Sequence, residues 1–231
     1  MSQSIKRIDL GGVNSYVIEK NGSFMLVDAG GPMFFDKGFN NREECLSRKL
    51  DELGINSQNL KLMILTHGDL DHVYNVSYLR EKYRAPVAMH RGDVGLVEEP
   101  KVDNVMSNCK YSSVVYKVLF RLIRGKLKKL VESQLKGYVP FQPDIVLEGN
   151  ESLDCYGFEG QIYHVPGHTK GSIAIHTPQG DLICGDIYAN IKKPDISPNA
   201  EDFNKLIKSC KFLDTLNTSN IYPGHGNPYT K

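Results

Sequence analysis

Short apolar runs that stop abruptly at a polar cluster are the main pattern along this chain. Phe24-Met25-Leu26-Val27 ends in Asp28-Ala29-Gly30, Leu62-Met63-Ile64-Leu65 in Thr66-His67-Gly68-Asp69, and Gln161-Ile162-Tyr163-His164-Val165 in Pro166-Gly167-His168. Leu182-Ile183-Cys184 runs into Gly185-Asp186, and Ile221-Tyr222 into Pro223-Gly224-His225. Runs of this length bounded by Gly and Pro predict strands buried on at least one face. Helical periodicity over Arg42 to Leu53, Val73 to Lys82 and Phe203 to Leu213 predicts helices between them. Ser15 to Glu19, the pair Asn21-Gly22 and Phe24 to Val27 predict a β-hairpin. The alternation indicates α/β layers with helices covering sheets. Each strand ends in an Asp or a His, at the place where loops from distant sequence positions converge in open α/β sheets.

The segment from about Pro100 to Pro143 breaks this rhythm and reads as a helical insertion. From Lys117 to Gly137 it holds seven positive residues (Lys117, Arg121, Arg124, Lys126, Lys128, Lys129, Lys136) and one negative, Glu132. Val115, Val118, Leu119, Leu122, Leu127, Leu130 and Leu135 keep near-helical spacing, and Gly125 is expected to bend or break the helix. Three roles fit: a covering helix pair with a solvated basic face, a lid over a site, or a contact with a membrane surface or RNA.

Composition narrows the class. The 231 residues are 40% hydrophobic and 24% charged, with a net charge of +1. That supports a folded core and argues against a surface built throughout for nucleic acid. No apolar run approaches the roughly 20 residues that span a bilayer, and Met1 to Leu10 lacks the apolar stretch of a secretory signal. The five cysteines, Cys45, Cys109, Cys155, Cys184 and Cys210, are scattered and form no C-x-x-C pair. A disulfide framework or thiolate zinc site is therefore not expected, and a reduced, cytoplasmic protein is.

The candidate chemistry centres on His67-Gly68-Asp69-Leu70-Asp71-His72, four metal-capable side chains in six residues. Clustered carboxylates repel one another unless a cation neutralises them. His168, Asp186 and His225 stand in the same context, each after a strand and each preceded by Gly. Imidazole and carboxylate without thiolate suit zinc, and equally iron or manganese. Seven ligands exceed one tetrahedral ion but suffice for two adjacent ions with a bridging carboxylate. Such a pair clamps a substrate oxygen and generates hydroxide near neutral pH, which is hydrolytic chemistry.

Asp28, His67-x-Asp69-x-Asp71-His72, His168, Asp186 and His225, with their flanking strings, resemble the five ordered motifs of the metallo-β-lactamase superfamily. The resemblance runs from about Asp28 to Gly226 and implies one domain over 1–231. The implied fold is an αββα sandwich, two mixed sheets face to face with helices outside and the site at one edge. It further implies that His67, Asp69 and His168 bind a first divalent ion and Asp71, His72 and His225 a second. Asp186 would bridge them, and Asp28 would orient a ligand from behind. Asp71 and Asp186 would serve catalysis, Asp71 by orienting the attacking hydroxide. The implied cofactors are two divalent metals, zinc foremost, with iron or manganese as options. The implied partner is a small ester, lactone, thioester or phosphodiester; nucleic acid is not expected, and a homodimer is one option among oligomeric states.

Two departures stand out. Most hydrolases of the superfamily carry His where this chain has Asp69. The added carboxylate should weaken the Lewis acidity of the ions and favour harder ones. Flavodiiron proteins also carry a carboxylate there, so a diiron oxidoreductase is the second reading, and a metal-stabilised binding protein the third. With six residues after His225, a flavodoxin domain or the C-terminal helical domain of the glyoxalase II type is not expected. After His72, the bulky Tyr74 either narrows the pocket or packs as an ordinary helix residue, and Tyr188 is a candidate donor to a developing oxyanion. Thr66, Thr169 and Ser172 are expected to be loop hydrogen-bonders, Lys170, Lys192 and Lys193 ordinary surface residues or, as the alternative, contacts for substrate charge, and His90, His164 and His176 structural.

Overall fold

A computed structural model describes residues 3–34, 36–107 and 110–231; Cys109 lies outside the described residues. The first part of the chain forms β1 (Ser4–Asp9), β2 (Asn14–Lys20), β3 (Ser23–Val27), α1 (Glu43–Glu52), β4 (Leu60–Leu65), α2 (Leu70–Val73), α3 (Val76–Tyr83), β5 (Val87–His90), α4 (Val94–Glu98), α5 (Val102–Ser107), α6 (Val114–Gly137) and β6 (Ile145–Leu147). The second part forms β7 (Gln161–His164), β8 (Ile173–His176), β9 (Asp181–Gly185), β10 (Tyr188–Ala189), β11 (Asp195–Ile196), α7 (Phe203–Leu213), β12 (Asn220–Pro223) and β13 (Tyr229–Thr230). Strands β1 to β6 form one sheet in sequence order, and β13-β12-β9-β8-β7 form the other. Both are mixed: β3, β4, β5 and β6 run parallel after an antiparallel start, and β12 runs parallel to β9.

Period-2 alternation with burial on both faces explains the apolar runs Phe24–Val27 of β3 and Leu62–Leu65 of β4. Met25, Val27, Leu62 and Ile64 point between the sheets, where they meet Ile162, Ile173, Ile175 and Ile183 of the second sheet. Their neighbours Leu26, Met63 and Leu65 point the other way, into a second core with Leu46 and Leu50 of α1 and Leu79 of α3. A third core lies under α7, where Leu206, Cys210 and Leu213 pack on Ala174, Leu182 and Cys184. Helices, sheet, sheet and helix with three cores between them make the expected αββα sandwich. The hairpin turn is as expected: Asn21 (φ 53°) and Gly22 (φ 76°) both take the left-handed conformation that a two-residue turn needs.

Two helical expectations are corrected. The helix over Val73 to Lys82 is interrupted at Tyr74-Asn75, separating α2 from α3. There the Asn75 amide donates to the carbonyls of Ala29 and Asn41 and ties the break to the loop after β3. In the insertion, α6 runs unbroken through Gly125 for 24 residues. Its buried residues are Phe120, Leu127, Val131 and Gln134, whereas Val115, Val118, Leu119 and Leu122 are exposed. The C-terminal half of the expected stripe faces the protein through Leu127 and Leu135, while its N-terminal half, Val115, Val118, Leu119 and Leu122, is turned outward. No helix among the described residues is long and apolar enough to cross a membrane. Cys45, Cys155, Cys184 and Cys210 are free thiols.

Candidate metal centre

The ends of five strands meet at one edge of the sandwich. Asp28 follows β3, the His67–His72 run follows β4 and opens α2, and His168 follows β7. Asp186 follows β9 and His225 follows β12. Hydrogen bonds sew the two sheets together at this edge. Asn14 donates its backbone N–H to Gly224 and its side-chain amide to Pro223 and Gly226, and the Tyr16 hydroxyl also donates to Pro223. Gly224 is required by crowding: a Cβ there would collide with Asp186 Oδ1 and His72 Cε1.

The donor atoms fall into two triads, His67–Asp69–His168 and Asp71–His72–His225, joined by a third, His67–His72–Asp186. Asp69 Oδ2 lies 3.7 Å from His67 Nε2 and 3.1 Å from His168 Nε2. Asp71 Oδ2 lies 4.0 Å from His72 Nε2 and 3.3 Å from His225 Nε2. Asp186 stands between the two, with Oδ1 3.4 Å from His72 Nε2 and Oδ2 3.7 Å from His168 Nε2 and 3.1 Å from His225 Nε2. All seven side chains singled out in the sequence thus converge. Asp69, shorter than the His it replaces, reaches both histidines of its triad.

Each imidazole is gripped from behind at Nδ1. His72 donates to Asp28 Oδ2 (2.9 Å), His168 to the Asn199 carbonyl (3.1 Å) and His225 to the Gly12 carbonyl (2.7 Å). The Thr66 hydroxyl donates to Asp28 Oδ2 (2.8 Å), so its oxygen is the acceptor for His67 Nδ1 (3.0 Å). Carbonyls and carboxylates can only accept, so the proton sits on Nδ1 and the Nε2 of all four rings faces the cluster. Asp28 holds this role from a left-handed conformation (φ 62°), uncommon for a non-glycine residue. Its Oδ1 accepts the Thr66 N–H at 2.7 Å, which fixes that conformation. The family resemblance implies an orienting role for Asp28, and in the structure it lies behind His72.

The donor set fits cations. His67 Nε2, His72 Nε2 and Asp186 Oδ1 are buried with no hydrogen-bond partner, a costly state unless an electrophile takes their lone pairs. Electrostatics point the same way. Burial would lower His168, but Asp69 and Asp186 override it and push its pKa up to about 9. Burial likewise opposes charge on His72 and His225, yet the surrounding carboxylates hold both well above the usual imidazole value. Against burial, His225 and His72 keep Asp186 well below the usual carboxylate range. His67 goes the other way, driven well below by burial and by the neighbouring imidazoles.

One supporting residue escaped the sequence reading. Asp93, buried in the turn after β5, accepts from Gly68 N–H (2.9 Å), Gly171 N–H (2.7 Å) and the Thr169 hydroxyl (2.6 Å). It clamps the His67–Asp69 loop to the His168 loop. Burial raises its carboxyl to about 6, against those three donors. The signal was there: Val87 to His90 followed by Arg91-Gly92-Asp93 has the same form as Leu182 to Cys184 followed by Gly185-Asp186.

Above the cluster lies a cavity of about 360 Å³. Its floor is Asp69, Asp71, Asp186 and His225; its walls are mostly apolar, including Met33, Phe34, Leu70 and Ile191, with Tyr116, Leu119 and Phe120 of α6 as a roof. Among the described residues it is lined by no Lys or Arg. Neither tyrosine singled out in the sequence lines it. The Tyr74 hydroxyl donates to the Gln134 carbonyl (2.9 Å) and anchors α6 from below, so its packing role is the one observed. Tyr188 is turned away, its hydroxyl donating to the Cys210 carbonyl. Thr169 and Ser172 hydrogen-bond each other, and Lys170 pairs with Glu201. His90 stacks on His164, and His176 meets the Asn217 carbonyl, all outside the cluster.

A four-layer αββα sandwich with imidazoles and carboxylates gathered at one edge defines a metal-binding class of protein. The sequence profile of the metallo-β-lactamase superfamily matches residues 8–225, and the chain belongs to that superfamily, whose members are mostly hydrolases. It is 26% identical over 213 residues to hydroxyacylglutathione hydrolase GloC of Haemophilus influenzae, covering 90% of this chain and 81% of that protein. The metallo-beta-lactamase family protein TTHA1429 from Thermus thermophilus superposes with a TM-score of 0.71 at 23% identity, covering 99% of this chain and 74% of that one. TTHA1623, solved in a di-iron-bound form, superposes with a TM-score of 0.62 at 23% identity, covering 94% of this chain and 89% of that one.

Proposed function

We propose that this protein is a metal-dependent hydrolase of an uncharged carbonyl ester, lactone or thioester with an apolar body. The observation that carries the reading is the convergence of four imidazole Nε2 atoms and three carboxylates at the base of an apolar cavity, into which Asp69, Asp71, Asp186 and His225 open. His67, Asp69 and His168 would hold one divalent cation and Asp71, His72 and His225 the other, with Asp186 shared between them. Bound there, two such ions supply a Lewis acid for the substrate carbonyl and acidify water at the site. Asp71 lines the cavity and would orient the attacking water and accept its proton. The apolar walls bury the substrate body and exclude bulk water, which strengthens the electrostatics at the floor.

The absence of Lys and Arg among the described lining residues sets phosphodiesters aside, since a phosphoryl group calls for cationic donors. The likeness to hydroxyacylglutathione hydrolase GloC, spanning 81% of that protein, brings thioesters forward and removes the size argument against them. Zinc suits the nitrogen-rich donor set, and Asp69 extends the range to iron and manganese. The diiron oxidoreductase is the second reading, favoured by Asp69 and by the fold shared with TTHA1623, which was solved with two irons. Elemental analysis of anaerobically purified protein, paired with turnover of ester, lactone and thioester panels, tests both. Two equivalents of metal with turnover support the hydrolase. Stoichiometric iron with redox-dependent absorbance and no turnover moves the assignment to the oxidoreductase, and a filled site inert in both assays overturns both.

A further inference from the structure

We infer that the mouth of the cavity docks on an anionic membrane surface through the first half of α6 and the turn between β10 and β11. The buried side of α6 is set by Phe120, Leu127, Val131 and Gln134. At 100° per residue, Val114, Val118 and Leu122 fall on the opposite side, and they are 73%, 55% and 78% exposed. A helix on a water-facing surface carries polar residues there. Here the outermost stripe is aliphatic, and Lys117, Arg121 and Arg124 flank it on one side and Lys126 on the other. No acidic residue occurs from Val114 to Val131. Ile191, 70% exposed, stands beside Lys192 and Lys193 in the β10–β11 turn. Ile191 and Leu119 both line the cavity, so the two apolar and basic elements border one opening.

Charge decides the occupant. A second copy packed on this stripe would set cation against cation, at a cost several like-charge pairs deep. An anionic bilayer answers both features, taking the aliphatic stripe into the headgroup boundary while the flanking cations meet lipid phosphates. The inference stands apart from the proposed hydrolysis: it rests on α6 and the turn, and its readout is binding.

The test is flotation of the purified full-length protein with vesicles of phosphatidylcholine alone or mixed equally with phosphatidylglycerol. Expected are binding to the mixed vesicles, release by high salt, and no binding to phosphatidylcholine alone. The double variants Val118→Asp with Leu122→Asp, and Lys117→Glu with Arg121→Glu, should each weaken binding about tenfold or more. Unchanged circular dichroism and metal content would show that fold and centre survive. Failure of the wild type to bind the mixed vesicles, or full binding by the aspartate variant, overturns the inference. So does a wild-type dimer in sedimentation that the aspartate variant dissociates, which assigns the stripe to a second copy. RNA binding lost on charge reversal but kept by the aspartate variant, without vesicle binding, overturns it in favour of RNA.

Discussion

Beneath the cavity every imidazole of the cluster is held at Nδ1 by a buried side-chain or backbone acceptor, and one of those supports, Asp28, is itself pinned by the Thr66 N–H and hydroxyl. In the roof, α6 is anchored near its C-terminal end through Tyr74 and Gln134, and Lys110 and Ser112, just before it, pair with the 198–200 loop. Between those anchors much of its surface is exposed. The floor fixes atoms to within a hydrogen bond, as metal ligation demands. The roof supplies apolar cover with few directional contacts, the construction expected of an element that selects and admits a substrate.

The sharpest way to break this contrast is to remove the shared carboxylate. Asp186→Ala should abolish turnover, on the order of a thousandfold or more, and lower retained metal, read by elemental analysis after gel filtration. Retained metal and rate would show that the floor is not the centre. Removing metal with a chelator comes next. A tightly bound ion stabilises by about 4 kcal/mol at a thousandfold excess over its Kd, so the melting temperature should fall by about 10 °C. Reloading at pH 7 should release protons, because His168 is held protonated up to about 9 and the cation must displace that proton.

Asp93→Ala tests the clamp between two ligand loops. It strands the Gly68 and Gly171 backbone N–H groups and leaves the Thr169 hydroxyl with Ser172 alone, and should cost about 3 kcal/mol in a urea melt. A loss confined to tenths of a kcal/mol would reduce Asp93 to a bystander. The smallest effect is expected in the roof. A Cβ at Gly125 meets no atom within 4 Å, so Gly125→Ala should stabilise by about 0.5–1 kcal/mol and leave turnover of a soluble substrate unchanged. Destabilisation there would mean that α6 bends in solution as its glycine first suggested.

Much of the centre was legible because its residue types are dear to place together for any other reason. His67, Asp69, Asp71 and His72 within six residues, and His168, Asp186 and His225 each after a strand and a glycine, named themselves. Asp93 did not, because one carboxylate after one strand has many structural uses, and its three donors come from Gly68, Thr169 and Gly171, remote in sequence. Tyr74 and Tyr188 were near the motifs along the chain, but a position two residues from a ligand does not say which way a ring points.

The amino-acid sequence by itself determined the alternation of strands and helices, the burial of β3 and β4 on at least one face, and the seven donors. Local chemistry and period-2 or 3.6-residue patterning carry that information. Only the tertiary structure decided which stripe of α6 is buried, since a helix rich in both leucine and lysine can pack on more than one face, and the face chosen is set by what Tyr74, Tyr138 and Val97 offer beneath it. It also decided the proton positions on four histidines, which depend on acceptors as distant as Gly12 from His225.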